Sequence, residues 1–258
     1  MQAIAIANQK GGVGKTTCAV NLACGLVREG YRVVLLDLDP QGAATRSLGL
    51  DVLTRDVDPW LAALGGEGSL EDLIGHSEEG VDVAAASEGL FQADLFLAPR
   101  VGRELALKRL LAQAKDRYDI AILDTPPYLG LLTINALCAS NWLLVPISCE
   151  FLPVYGLKYL LDALEIVRAN LNPDIRVLGY VLTMFDGREK ISSEVESAIR
   201  RSLGGDVFKT VVRISTRLKR APSSGQSIFR FDPRGRGAVD FAALTKEVIS
   251  RISAGGQT

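Results

Sequence analysis

The segment Lys10-Gly-Gly-Val-Gly-Lys15-Thr16-Thr17 constrains this chain more than any other. It follows a short apolar run, Ala3–Ala7 (AIAIA), and opens a helix-patterned stretch, Lys15–Arg28. In that stretch Val20, Ala23, Leu26 and Val27 recur on one face, and Gly30 marks the end. Glycines let backbone N–H groups close around a phosphate, and the helix N-terminus adds the positive end of its dipole. Lys15 is placed to reach β- and γ-phosphates, and the Thr16 hydroxyl to ligate Mg²⁺. The general pattern G-x-x-x-x-G-K-[ST] breaks at one point, because Gln9 stands at its first glycine. Lys10 lies inside the loop, where that pattern asks for no lysine.

The surrounding pattern is α/β. Arg32–Leu36 (RVVLL) reads as a buried strand closed by Asp37, so the first 37 residues form a βαβ unit and imply a parallel sheet. Further strands are expected at Val81–Ala85, Asp119–Leu123, Trp142–Ile147 and Arg176–Thr183, with an edge strand at Asp206–Val212. Helices are expected at Arg103–Tyr118, Val154–Ala169, Ser192–Ser202 and Ala238–Ile252. Thr54–Gly80 is the least regular part and reads as a surface excursion with short helices. The alternation predicts a doubly wound, mostly parallel sheet flanked by helices, as one P-loop domain over residues 1–258. At 258 residues and 48% hydrophobic, the chain can bury a large core without covalent staples.

The cysteines and the histidine exclude several chemistries. Cys18, Cys24, Cys138 and Cys149 show no CxxC spacing, which argues for buried, reduced thiols in a cytosolic protein. His76 is the only histidine and falls in a Gly/Glu-rich stretch, so it reads as a solvated loop residue. No stretch approaches the roughly 18 apolar residues of a membrane span, and the N-terminal apolar run is too short for a signal peptide.

Three aspartates accompany the loop. Asp37 and Asp39 follow the second strand in LLDLDPQG, and Asp124 closes an apolar strand in ILDTPP, the pattern of a Walker B aspartate. Sites of open α/β sheets lie at the carboxyl ends of strands. With the loop, these carboxylates form a Mg-nucleotide set.

KGGVGKTT is similar to the deviant Walker A motif of the ParA/MinD/nitrogenase-iron-protein group of ATPases. The chain resembles the ParA (Soj-type) partition ATPases nearly end to end: DLDPQGAAT (37–45), DTPPYLGLLTINAL (124–137), LTMFDGR (182–188), RLKRAPSSG (217–225) and FDPRGRGA (231–238) occur in the family's order. Residues 51–80 match poorly. The resemblance implies nucleotide binding by Lys10, Gly11, Gly12, Val13, Gly14, Lys15, Thr16 and Thr17, with Met184 and Asp186 added. It implies that Lys10 acts across a sandwich homodimer on the partner's phosphates. Lys10, Lys15 and Asp39 become the catalytic set, with Asp39 orienting the attacking water. Thr16, Asp37 and Asp124 become the Mg²⁺ set, and Thr125–Leu129 becomes switch II. ATP, Mg²⁺, a ParB-like partner protein and non-specific double-stranded DNA are the implied ligands.

Charge distribution bears on the DNA. The net charge is −1, but residues 213–236 hold seven basic residues against Asp232 alone, a surplus of +6 that leaves −7 elsewhere. A local basic surface binds phosphates through counterion release whatever the global charge. The resemblance implies DNA contacts at Arg188 and Arg217, and Arg213, Lys219 and Arg220 join them as basic neighbours. VRIS (212–215) stands where relatives commonly read IPRN, near the family's adenine pocket, and Ala43 replaces an Asn. The loop begins at residue 10, so neither a helix-turn-helix extension before it nor sequence-specific operator binding is expected.

Three other readings compete. A MinD-like membrane-positioning ATPase needs a cationic amphipathic C-terminal helix. Here the last helix carries Glu247 beside Lys246 and Arg251, and packing of Phe241, Leu244 and Val248 on the core is the expectation. An iron–sulfur protein needs thiolates in loops. A P-loop enzyme acting on a small molecule keeps the loop but not the ParA-like C-terminal segments. The expectation is a nucleoid-associated, cytoplasmic DNA-partitioning ATPase that does not use a membrane.

Overall fold

The computed structural model describes residues 1–149 and 154–255. The elements run β1 (Gln2–Ile6), α1 (Lys15–Arg28), β2 (Val33–Asp37), α2 (Ala43–Ser47), α3 (Pro59–Gly65), β3 (Ile74–His76), β4 (Asp82–Ala84), α4 (Ala93–Leu97) and α5 (Ala106–Ala112). They continue with β5 (Ile120–Asp124), α6 (Leu131–Ala139), β6 (Trp142–Ser148), α7 (Val154–Asn170), β7 (Arg176–Phe185), α8 (Lys190–Leu203), β8 (Val207–Arg213), α9 (Thr216–Arg220), α10 (Ile228–Phe231) and α11 (Arg236–Gly255). One eight-stranded sheet has the order β3-β4-β2-β5-β1-β6-β7-β8. Its pairs are parallel except β3 with β4. The expected doubly wound α/β architecture is the one observed.

Two apolar layers sandwich the sheet, and period-2 alternation assigns each strand residue to one of them. In β1, Ala3 and Ala5 join the layer of α3, α5 and α6, whereas Ile4 and Ile6 join the layer of α1 and α11. α1 and α11 pack closely, since a Cβ on Gly25 would lie 2.2 Å from Thr245 Oγ1. Phe241, Leu244 and Val248 of α11 are fully buried, so this helix packs on the core as its pattern suggested. All four cysteines are buried and free. Among the described residues no helix is long and apolar enough to cross a membrane.

Four expectations need correction. Residues 54–80 are no mere surface excursion: Trp60 of α3 is fully buried, its Nε1 donates to the Ala85 carbonyl at 2.8 Å, and Leu70 and Leu73 join the core. His76 is not a loop residue but ends edge strand β3, with Nδ1 2.6 Å from Asp82 Oδ1. The helix expected over 103–118 is shorter. A 3-10 turn covers Arg103–Leu105, α5 follows, and residues beyond Ala112 form turns. Asn135 explains the break, because it donates to the Arg103 carbonyl at 2.8 Å and accepts from the Leu107 N–H at 3.0 Å. Finally, α6 has no counterpart in the expected helices. It is buried on most sides, so no polar face gives it a period.

Register sets the site. Asp124 at the end of β5 lies opposite both Ile6 of β1 and Asp37 of β2. The three strand ends are therefore level where the strand order reverses beside β1, the place where open α/β sheets bind ligands.

Candidate nucleotide site

The loop after β1 is built for an anion. Gly12 and Gly14 hold φ of +75° and +87°, a region that glycine enters without steric cost. Gly14 is the N-cap of α1, which has no side-chain cap and no acidic residue in its first turn. Its first N–H groups and dipole end thus face the loop unneutralised. Asn8 Oδ1 accepts the Lys10 N–H at 3.0 Å, and Thr183 Oγ1 donates to the Val13 carbonyl at 2.8 Å, fastening the loop at both ends.

A cavity of ≈ 350 Å³ lies against this loop, lined by Gly11, Gly12, Gly14, Lys15, Thr16, Thr17, Asp39, Pro127 and Met184. Lys15 is buried. Its Nζ donates to the Lys10 carbonyl at 3.4 Å. Burial lowers its pKa, and the charges of Asp124 and Asp39 oppose that shift. Lys10 is exposed.

The carboxylates differ from one another. Asp37 is fully buried, and its Oδ2 accepts the Thr45 N–H at 2.8 Å and the Thr45 hydroxyl at 2.7 Å. Burial pushes its carboxyl up to about 6, against these hydrogen bonds. Asp39 is half-buried, and its Oδ1 accepts the Gln41 N–H at 2.9 Å. Asp124 is fully buried, and neither of its oxygens receives a hydrogen bond. Burial first, and then the Asp37 charge, hold its carboxyl well above the ordinary range, while Thr16 and Lys15 pull it back.

A buried carboxylate without donors is costly in free energy. A divalent cation beside Asp124 and Thr16 relieves that cost, so the residues fit one. Among the described residues no cluster of three or more His, Cys, Asp or Glu could hold a metal alone. The fit is therefore to Mg²⁺, which takes one or two carboxylates and completes its shell with phosphates and water.

An apolar pocket adjoins the loop, lined by Gly14, Cys18, Met184, Val212, Ile214, Leu218 and Phe241 among others. It suits a flat, largely apolar group next to the phosphates. Met184 lines both cavities and is, among the described residues, the only non-glycine at positive φ (53°). Strain of this kind collects at ligand sites. Asp186, expected beside it, lines neither cavity. Its carboxylate is closed by Arg188 through N at 3.0 Å, Nε at 2.9 Å and Nη2 at 2.6 Å, which holds it at about 2.

The basic residues are not equivalent in space. Lys219 and Arg220 on α9 are exposed and, among the described residues, form no ion pair. Arg217 is exposed, with Nε 4.0 Å from Asp232. Arg213 is different, because its guanidinium and N–H both bind Asp240. Arg230 pairs with Glu78. Two of the seven basic residues thus meet acids from outside 213–236, and the local surplus is smaller in space than along the chain.

Sequence patterns missed Asn8, Thr45, Thr183 and Asp240. Asn8 carried a signal, since an Asx two residues before a loop residue commonly binds its N–H. Thr45 acts on Asp37 within one short motif, and Thr183 and Asp240 act across more distant segments.

A family profile described as an AAA domain matches residues 1–177. The chain is 43% identical over 249 residues to the sporulation initiation inhibitor protein Soj of Bacillus subtilis, covering 96% of this chain and 98% of that one. It is 44% identical to the chromosome-partitioning ATPase Soj of Thermus thermophilus, with 96% of each covered. A crystal structure of cobyrinic acid a,c-diamide synthase from Mycobacterium smegmatis, with bound ATP analog and magnesium, superposes with a TM-score of 0.86 at 32% identity. That match covers 99% of this chain and 96% of that one.

Proposed function

Because this chain belongs to the Soj/ParA family of partitioning ATPases, we propose that it binds ATP with Mg²⁺ and pairs as a nucleotide-sandwich homodimer. In that state it binds double-stranded DNA without reading its sequence, and a ParB-like partner releases it by stimulating hydrolysis. The observation that carries the ATP site is Asp124, buried and without donors beside Lys15 and Thr16, in front of the uncapped N-terminus of α1.

In this reading residues 1–258 act as one P-loop domain in the cytoplasm, on the nucleoid. The N–H groups of Gly11–Thr17 cradle the phosphates, and Lys15 neutralises the β/γ oxygens. Thr16 and Asp124 hold Mg²⁺, with Asp37 behind them, oriented by Thr45. When bound, Mg²⁺ neutralises charge on the phosphate oxygens. Asp39 orients the attacking water. Lys10 reaches the partner protomer's phosphates, as an arginine finger does. Basal turnover is slow because that arrangement is complete only in the stimulated dimer.

Arg217, Lys219 and Arg220 are the proposed DNA contacts. Arg188 contributes once its pair with Asp186 opens, whereas Arg213, expected among the DNA contacts, stays closed on Asp240. α9 supports a link between nucleotide and DNA, because Leu218 and Lys219 also line the pocket beside the loop. The test is a DNA titration with ATP, ADP and no nucleotide at several salt concentrations. Binding with ATP alone, falling steeply with salt, is the expected result. Lipid binding without DNA binding points to a membrane-positioning ATPase. Binding of neither points to an enzyme acting on a small molecule.

A further inference from the structure

The base side of the nucleotide pocket is walled by the chain leaving β8, an edge strand with no neighbour beyond it among the described residues. The pairing of β8 with β7 is irregular, with two register shifts, and its last pair is Phe185 with Arg213. A wall at such an edge needs fastening from elsewhere. One tie is the Ile214 N–H donating to the Phe185 carbonyl at 3.0 Å. The other comes from α11. Asp240, 6% exposed, accepts the Arg213 N–H at 3.0 Å. It also accepts Nε at 3.1 Å to each oxygen and Nη2 at 2.5 Å. The next residue, Phe241, is fully buried and lines the same pocket. One turn of α11 therefore supplies a pocket surface and holds the facing wall.

We propose that Asp240 is a positioning residue for the base of the bound nucleotide, acting through Arg213 to set the wall at Val212–Ser215. This rests on the reading of the Lys10–Thr17 loop as an ATP site. The phosphate loop has its own ties, Asn8 to the Lys10 N–H and Thr183 to the Val13 carbonyl, and neither passes through Asp240. The base and phosphate sides are thus held by separate devices, and the two can be perturbed separately. Bidentate Arg–carboxylate pairs fix geometry as well as energy, which suits a positioning role.

The test is calorimetric titration of the full chain with Mg-ATP and with inorganic tripolyphosphate plus Mg²⁺, a probe that has the phosphates and no base. Asp240→Asn is expected to weaken ATP on the order of tenfold, the consequence of losing a charged hydrogen-bond pair. Tripolyphosphate should bind it as it binds the unaltered protein. Unchanged affinity for ATP, or parallel loss of both probes, overturns the proposal, because a merely structural pair moves both or neither. If Asp240→Asn does not fold, Arg213→Lys carries the same comparison. It keeps the charge and loses the planar fork, so a smaller, ATP-selective loss is expected, and its absence overturns the proposal. Failure of the unaltered protein to bind either probe instead removes the ATP-site reading itself.

Discussion

Lys10 and Lys15 share a loop but not an environment. Lys15 is buried among carboxylates, and its ammonium is desolvated toward the site. Lys10 is exposed, and its backbone carbonyl accepts from Lys15 Nζ. An exposed side chain is suited to act on another molecule, whereas a buried one is suited to a ligand of its own site. Replacing Lys10 with Ala should leave ATP binding in place and cut partner-stimulated phosphate release by on the order of 10³-fold, the scale of a finger residue. Retained stimulation would mean that no trans lysine is needed. The spacing of the two lysines was legible in the sequence. Their contrasting burial was not, because it depends on how β5 and β2 place Asp124 and Asp39 around the loop.

At the scale of elements, α3 shows how an irregular stretch can be a fastener. Asp58 caps this helix by accepting the Trp60 and Leu61 N–H groups at 3.0 and 3.1 Å. It also accepts the Ser87 hydroxyl at 2.9 Å and the Gly89 N–H at 2.8 Å. Gly89 must be glycine to approach so closely, since a Cβ there would lie 2.2 Å from the Asp58 carboxyl carbon. Asp58→Ala strips a helix cap and leaves further donors unpaired, so it should cost about 2–4 kcal/mol. The expected signature is a lower urea midpoint with an unchanged m-value, and a loss below about 0.5 kcal/mol would contradict the assigned role. A Gly-, Pro- and acid-rich stretch with one Trp gave no periodic signal, because its order comes from Ser87, Gly89 and Ala85, far away in sequence. The strands β1, β2, β5 and β6 were legible for the opposite reason. Buried parallel strands are short runs of apolar residues whatever their neighbours.

For the molecule as a whole, charge is the property that sequence and structure describe differently. The chain is near neutral, with a basic segment at 213–236. Folding closes Arg213 on Asp240 and Arg230 on Glu78, and leaves Arg217, Lys219 and Arg220 exposed on or beside a pocket wall. A small, concentrated patch results, and Lys219 within it also lines the pocket beside the loop. Arg217→Ala should weaken DNA binding about equally across sequences and reduce the salt slope by about one. A loss confined to particular sequences would contradict binding through phosphates. The patch lies on the ATPase fold itself, so in the proposed function nucleotide state and DNA affinity share one structural element.

By itself the sequence determined the phosphate loop, most of the parallel strands, and the aspartates at strand ends, because each is a local pattern set by backbone geometry. It also carried the family, since long motifs stand in one order. The tertiary structure decided which of those groups meet. The register of β2 and β5 puts Asp37 beside the buried Asp124, and the packing of α11 on β8 brings Asp240 to Arg213. These contacts join residues dozens of positions apart, and no local pattern encodes them. They arise only when the two apolar layers close on the sheet and fix every strand end in space.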